Sequence, residues 1–272
     1  MDASSREALV VARERLAERT QGAPGQSLLN LADELFSVAR LLDGEPSLRR
    51  ALSDPGVKPA DRAGLARRLF GGKVSDTAQD LVETVARQRW ARPLDLVEGA
   101  TTLAQEAAFD AAVARGELDN VEDELFRFGR IVGGDPELAR ILGDRAAPAA
   151  GRTALLDRLL SQRVTPATAL LLRNVLTTRH VGSAEVTVER LSEAASRRRG
   201  QSVAHVTSAV ALTAAQERRL TDLLGRLYGR SIGLQVVVDP DVLGGLVIRV
   251  GDEVIDGSIA HRLEAAGRRL AG

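Results

Sequence analysis

The sequence predicts a mainly α-helical protein, built as tandem, duplicated helical bundles followed by a small α+β carboxy-terminal domain. Three observations carry this. Apolar residues recur at helical spacing through the first two thirds, a block of that pattern returns after 90 residues, and the last third changes to period-two alternation broken by glycine turns. At about 100 to 200 residues per domain, a chain of 272 residues holds more than one core.

The repeat is read directly. Asp33-Glu34-Leu35-Phe36 returns as Asp123-Glu124-Leu125-Phe126, and the register holds without a gap through Arg40/Arg130, Pro46/Pro136, Leu52/Leu142, Arg62/Arg152, Leu81/Leu171 and Arg89/Arg179. About a third of the aligned positions are identical, more than shared composition produces. Leu28, Leu31, Leu35, Val38 and Leu42 form one helical stripe, and Leu118, Val121, Leu125, Phe128 and Val132 form its partner. Pro46 and Pro136 each open a short helix, because proline has no N–H to lose at a first helical position. Helices near 60–70 and 150–160 follow, and Ser75 and Thr165 supply hydroxyl caps for the next pair. A long helix from Leu94 to Arg115 lies between the blocks, so it is the last helix of one copy and the first of the other. The resulting boundaries are 1–112 for the extra bundle, 93–200 for the second bundle and 201–272 for the small domain. The stretch from Gln21 to Ser27 reads as a loop.

After a helix from Ser183 to Arg199, Val203 to Val210 alternates as a first strand, with Ala204, Val206 and Val210 on one face. Thr213 with Gln216 is a capping-box pattern ahead of a helix bearing Leu220, Leu223, Leu224 and Leu227, which Gly229 ends. Ile232 to Val238 and Leu246 to Val250 alternate again. Gly251-Asp252 then turns the chain into Glu253 to Ile255, as in a type II′ hairpin. Gly257 ends that strand, and Ser258 caps a final helix carrying Ile259, Leu263 and Leu270.

Chemistry is sparse. Lys plus Arg and Asp plus Glu both number 37, so no net field gathers nucleic acid or an anionic membrane. With no cysteine, thiolate catalysis and cysteine-built metal sites are excluded, and a reducing compartment fits. No apolar stretch approaches the roughly 18 residues of a membrane span, and the first residues lack a signal-peptide core. His180, His205 and His261 have no ligand at metal-binding spacing, and the glycines at 244, 245 and 251 fit no phosphate-loop pattern. Ser258 near Asp256 and His261 reads as a helix cap rather than a triad nucleophile. Arg197-Arg198-Arg199 complements the negative end of a helix. Only two of the basic residues are lysines, Lys58 and Lys73, a bias that reflects a high-GC genome.

The tail from Val238 to Leu270 reads Val-Asp-Pro-x-x-x-Gly-Gly-Leu-Val-Ile-Arg-Val-Gly-Asp-x-Val-Ile-Asp-Gly-Ser-x-x-x-x-Leu, through Asp239, Pro240, Gly244, Gly245, Arg249, Gly251, Asp252, Asp256, Gly257, Ser258 and Leu263. It closely resembles the carboxy-terminal signature of the delta subunit of F-type ATP synthase, the oligomycin-sensitivity-conferring protein family. Residues 107–118, 136–142, 170–175 and 203–212 extend the likeness to about 100–270. Ala104 departs from an aromatic common in that family, and the first ~90 residues are a copy that ordinary members lack.

The resemblance implies a stator subunit and no catalyst, with no cofactor and no metal. In that family the helical domain grips the amino-terminal segment of an alpha subunit on top of the F1 head, and the small domain joins the b-type peripheral stalk. This is helix-in-groove recognition. By position, the groove is expected from Leu103, Ala107 and Val113 on one helix and Leu170, Leu171 and Asn174 on another, with some of the six facing the core. The glycines and Asp256 to Ser258 are expected to shape turns and caps. A peripheral place at the cytoplasmic face of a bacterial plasma membrane follows, with no nucleic acid and no membrane insertion. Leu81, Val82 and Val85 stand where the second copy has Leu171, Leu172 and Val175, so the first copy is expected to keep a groove for a second alpha segment or part of the stalk. The alternatives are a helical-repeat adaptor that binds RNA or protein outside the ATP synthase, and a hydrolase built on Ser258 and His261.

Overall fold

A computed structural model describes residues 1–144, 148–160, 163–177, 183–201, 203–228, 232–239, 244–251 and 253–257. Two compact units result, Met1–Ala195 and Ser196–Gly272. The first contains helices α1 (Ala3–Thr20), α2 (Gly25–Gly44), α3 (Pro46–Ser53), α4 (Pro59–Phe70), α5 (Asp76–Arg87), α6 (Pro93–Ala114), α7 (Leu118–Gly134), α8 (Pro136–Gly143), α9 (Ala149–Leu160) and α10 (Pro166–Thr177), with α11 (Ala184–Gln201) running on past its end. Helices α8, α9 and α10 begin 90 residues after α3, α4 and α5.

The expected stripes are the core. Leu28, Leu31, Leu35, Val38 and Leu42 are buried on α2, and Leu118, Val121, Leu125, Phe128 and Val132 on α7. Proline opens α3, α4 and α6, where its missing donor costs nothing. Ser75 and Thr165 accept from Ala78 N and Thr168 N at 3.2 and 3.3 Å, satisfying exposed donors at the starts of α5 and α10. Helix α1 was not foreseen: its buried set of Ser5, Ala8, Leu9, Ala12 and Leu16 is diluted by Val10 and Val11, which are exposed.

Helix α6 is the shared spine. It packs against α1, α2, α3 and α5 on one hand and α7 and α10 on the other, with α2 its most extensive neighbour. Ala100, Ala104, Ala107, Ala108, Ala111 and Ala112 are buried along it, and their small side chains permit close helix approach. Gly99 lies under the Trp90 ring, where a Cβ would come within 2.4 Å of Cη2. Trp90 is itself fixed by Nε1 donating to Val85 O at 2.9 Å.

In the second unit β1 (Val203–Ser208), α12 (Ala214–Tyr228), β2 (Gly233–Val238), β3 (Leu246–Val250) and β4 (Glu253–Asp256) form a four-stranded sheet in the order β2-β1-β3-β4. β1 and β2 run parallel, joined through α12, whereas β1–β3 and β3–β4 are antiparallel. Ala204, Val206, Leu224, Ile232, Ile248 and Val250 make its core. The capping box is present in full: Thr213 N donates to Gln216 Oε1 at 2.8 Å and Gln216 N to Thr213 Oγ1 at 3.3 Å. Val210 is 68% exposed, against the expectation that it shares the buried face, because β1 ends at Ser208. The Gly229 stop and the final helix from Ser258 lie outside the described residues.

Candidate functional site

Of the six expected groove residues, Leu103, Ala107 and Val113 lie on α6 and Leu170, Leu171 and Asn174 on α10, two helices that touch each other; Leu103 faces the first half, lining a cavity with Leu35, Val38, Val82 and Val85. Leu103, Ala107 and Leu171 are fully buried, Asn174 is 2% exposed, and Val113 and Leu170 are half-buried. Helix α2 touches both α6 and α10. Arg40 of α2 donates from Nη1 to Asn174 Oδ1, while Asn174 Nδ2 donates to Leu170 O at 2.9 Å. At the start of α2, a Cβ on Gly25 would sit 3.1 Å from Ala111 O on α6, so the two backbones nearly touch. A third helix of the same chain therefore lies against both.

In the first half, α1 packs against α5 through a polar seam. Arg15 crosses it with Nε and Nη2 donating to Asp80 at 2.6 and 2.9 Å, and Arg19 Nε lies 3.6 Å from the same carboxylate. The Arg15 hydrogen bond holds the Asp80 carboxyl below its ordinary pKa, against partial burial. On the adjoining surface of α1, Val10 and Val11 are 50% and 41% exposed. Leu81, Val82 and Val85, expected to keep a groove in this half, are buried in the core instead.

Three polar devices, none singled out from sequence, hold the halves together internally. Arg62 is 4% exposed and donates to the carbonyls of Asp54, Val57, Ala86, Arg87 and Gln88 at 2.6–3.0 Å. Arg152, equally buried, donates to Leu176 O at 2.9 Å. Glu34 accepts from Ser75 N at 3.0 Å, and Glu124 from Thr165 N at 2.9 Å. Arg67 grips Glu83 at 2.6 and 2.8 Å, while Arg173 grips Asp157 at 2.6 and 3.0 Å. The Arg67 hydrogen bond likewise keeps the Glu83 carboxyl below its usual range. The one available signal was the identity of Arg62/Arg152 and Glu34/Glu124 at one interval.

The carboxy-terminal motif shapes turns. Gly244, Gly245 and Gly251 have φ of 65°, 83° and 59°, a region that favours glycine, and Gly251 turns β3 into β4. Asp239 N donates to Ser208 O at 2.8 Å, and Gly257 N to Leu246 O at 2.9 Å. Arg249 pairs in register with His205 and Val254, and both Arg249 and His205 are exposed; Asp256 pairs with Val247. Pro240, Asp252, Ser258, Leu263, His180 and His261 lie outside the described residues. Among the described residues no group of His, Asp or Glu could hold a metal ion, and no helix is long and apolar enough to cross a membrane.

With this geometry in place, the similarities to known proteins are informative. The family described as ATP synthase delta (OSCP) subunit matches residues 104–270. The chain is 47% identical to the ATP synthase subunit delta of Streptomyces griseus over 100% of both chains. It is 49% identical to that of Streptomyces coelicolor, over 100% of this chain and 98% of the other. A chain of the Toxoplasma gondii mitochondrial ATP synthase hexamer aligns over 62% of this chain and 95% of its own at 18% identity and a TM-score of 0.32, too weak a likeness to bear on the fold. On the strength of the matched residues and the full-length identity, the chain belongs to the ATP synthase delta (OSCP) subunit family.

Proposed function

We propose that this chain braces the ATP synthase as a non-catalytic stator subunit, with its helical unit holding the amino-terminal segment of an alpha subunit on the F1 head and its small unit holding the b-type peripheral stalk. The observation that carries the reading is the family match over residues 104–270, which spans both kinds of unit. Rotation can only be coupled if the head is kept from turning, and a brace of this kind needs stiffness more than chemistry. Helix α6, common to both halves, supplies it. The chain would sit peripherally at the cytoplasmic face of a bacterial plasma membrane.

The first 112 residues we read as a second copy of the helical bundle, with α6 serving both copies, followed by the bundle of 93–200 and the small domain of 201–272. Support comes from contacts that repeat at equal separations: Glu34 to Ser75 and Glu124 to Thr165 both span 41 residues, and Arg62 to Ala86 and Arg152 to Leu176 both span 24. Arg67–Glu83 and Asp157–Arg173 both span 16, with the charges exchanged. Convergent packing would not reproduce polar pairs at one interval. Helix α2 then packs against both helices that carry the expected groove residues, α6 and α10.

Reconstitution tests the function. Heads and membranes stripped of this subunit should lose proton-coupled ATP synthesis and regain it when the full chain is added back. A chain that neither binds stripped heads nor restores coupling, or that hydrolyses ATP alone, would end the proposal.

A further inference from the structure

We propose that the core of the first half keeps a dry cavity that binds one small nonpolar molecule of about the size of dioxygen. The inference does not depend on the function proposed above.

The cavity lies where α2, α5 and α6 meet. Its walls include Leu35 and Val38 of α2, Val82, Val85 and Ala86 of α5, and Leu103 of α6. Every side chain lining it is Leu, Val or Ala, and these six are all buried. It offers a water-sized sphere about 10 Å³, which is the room of roughly one small molecule.

Two observations say why the space is there and why water does not take it. The first is the internal repeat. At the 90-residue interval Val38, Val82 and Ala86 correspond to Phe128, Leu172 and Leu176, which are buried in the second half. On three walls the first half therefore lacks side-chain volume that the second half carries at the same positions, and a packed core relaxes only partly onto such a gap.

The second observation is polarity. A water molecule stays in a cavity only where roughly two to four polar groups hold it. Helix α5 ends beside this one, and the carbonyls at a helix end are the groups that could do so. Both are taken: Val85 O accepts from Trp90 Nε1 at 2.9 Å, and Ala86 O accepts from Arg62 Nε at 2.8 Å. What faces the space is a wall of hydrocarbon whose missing dispersion contacts a small nonpolar molecule restores. A particle of one or two heavy atoms fits that room, and an aromatic ring is too large for it.

Methyl-resolved NMR of the full-length chain under dioxygen pressure tests the site, with nitrogen at equal pressure as the diamagnetic reference. Paramagnetic relaxation at the methyls of Val38, Val82, Val85 and Leu103 should exceed by at least about threefold that at Leu125, Leu156 and Leu171, which are also buried but lie in the second half. Val82→Leu and Ala86→Leu, which import the second half's side chains, should each cut that excess by at least about threefold, with the melting temperature unchanged or raised. Uniform relaxation across both halves would overturn the proposal, as would an excess undiminished in a folded Val82→Leu or Ala86→Leu protein. Cross-relaxation between water and the Val38 or Val85 methyls would overturn it too, because the cavity would then be wet. Should either variant fail to fold, the relaxation map of the parent chain decides alone.

Discussion

Helices α2 to α5 and α7 to α10 are built with the same internal fastenings but meet different surroundings. In both, a glutamate on the first helix caps the start of the fourth, and a buried arginine ties down the end of that fourth helix. What differs is the outward face. On α2, Leu29, Ala32, Phe36 and Ala39 are all buried, giving that helix a second apolar side. The corresponding positions on α7 are Asp119, Glu122, Phe126 and Gly129, and Phe126 is 56% exposed where Phe36 is 2% exposed. Fastenings inside a bundle answer to that bundle's own chain geometry; a face answers to whatever lies against it. The α2 face is apolar because a neighbouring helix covers it, whereas the α7 face carries two acids, Asp119 and Glu122.

The largest effect should come from the shared fastening. Arg62→Met would leave carbonyls near Asp54, Val57 and Ala86 without their buried donor, and a buried acceptor left unsatisfied costs about 1–3 kcal/mol. Arg152→Met should destabilise in the same direction. If urea unfolding shows a loss for Arg62→Met and none for Arg152→Met, the two halves are not fastened alike and the comparison breaks. The faces give the opposite pattern. Phe36→Ala should cost about 3–5 kcal/mol through a cavity, whereas Phe126→Ala at an exposed site should fall within about 0.5 kcal/mol. Equal losses would mean Phe126 is covered in solution.

How much of this was legible follows from the same contrast. Buried stripes on α2 and α7, the prolines opening helices and the hydroxyl caps are local, and periodicity exposes them. The second buried face of α2 was also written in the sequence, since a helix apolar on two sides has two neighbours, but only comparison with Asp119 and Glu122 makes it visible. Sequence set the expected groove residues on two helices, yet it does not say that a third, α2, packs against both. That outcome depends on α2 reaching across α6 to α10. The parallel pairing of β1 with β2 was illegible too, because the alternation of a strand is the same whichever way its neighbour runs. Helix α1 escaped because its exposed valines blur the stripe.

A smaller effect sharpens the contrast between α1 and α6. Ala104→Leu forces extra volume into the packed spine and should cost about 1–3 kcal/mol by overpacking. Its counterpart, Glu14→Leu, sits on an exposed ridge and should leave stability within about 0.5 kcal/mol. Thermal melting of the two variants side by side checks this, and a destabilised Glu14→Leu would show α1 to be covered like α6.

The smallest effects concern the exchanged ion pair. Asp157–Arg173 carries in the second half the polarity opposite to Arg67–Glu83, so the site accepts either arrangement provided the signs differ. Arg67→Asp alone sets two carboxylates against each other and should lower the melting temperature slightly; adding Glu83→Arg should recover it. A double variant no better than the single one would mean the orientation matters, through Gln79, which donates to Glu83 at 3.0 Å, or through Arg87 at 3.5 Å. The pH dependence has a fixed sign. Glu83 and Asp80 have folded pKa values below their ordinary 4.5 and 3.8, so their contribution is present at neutral pH and fades only as pH falls through that range toward the lower folded values. Between pH 7 and 5 the swap variant and the parent should therefore melt in parallel, and below about pH 4 both should lose stability together, because the transplanted carboxylate at position 67 would be tied to an arginine as Glu83 is now.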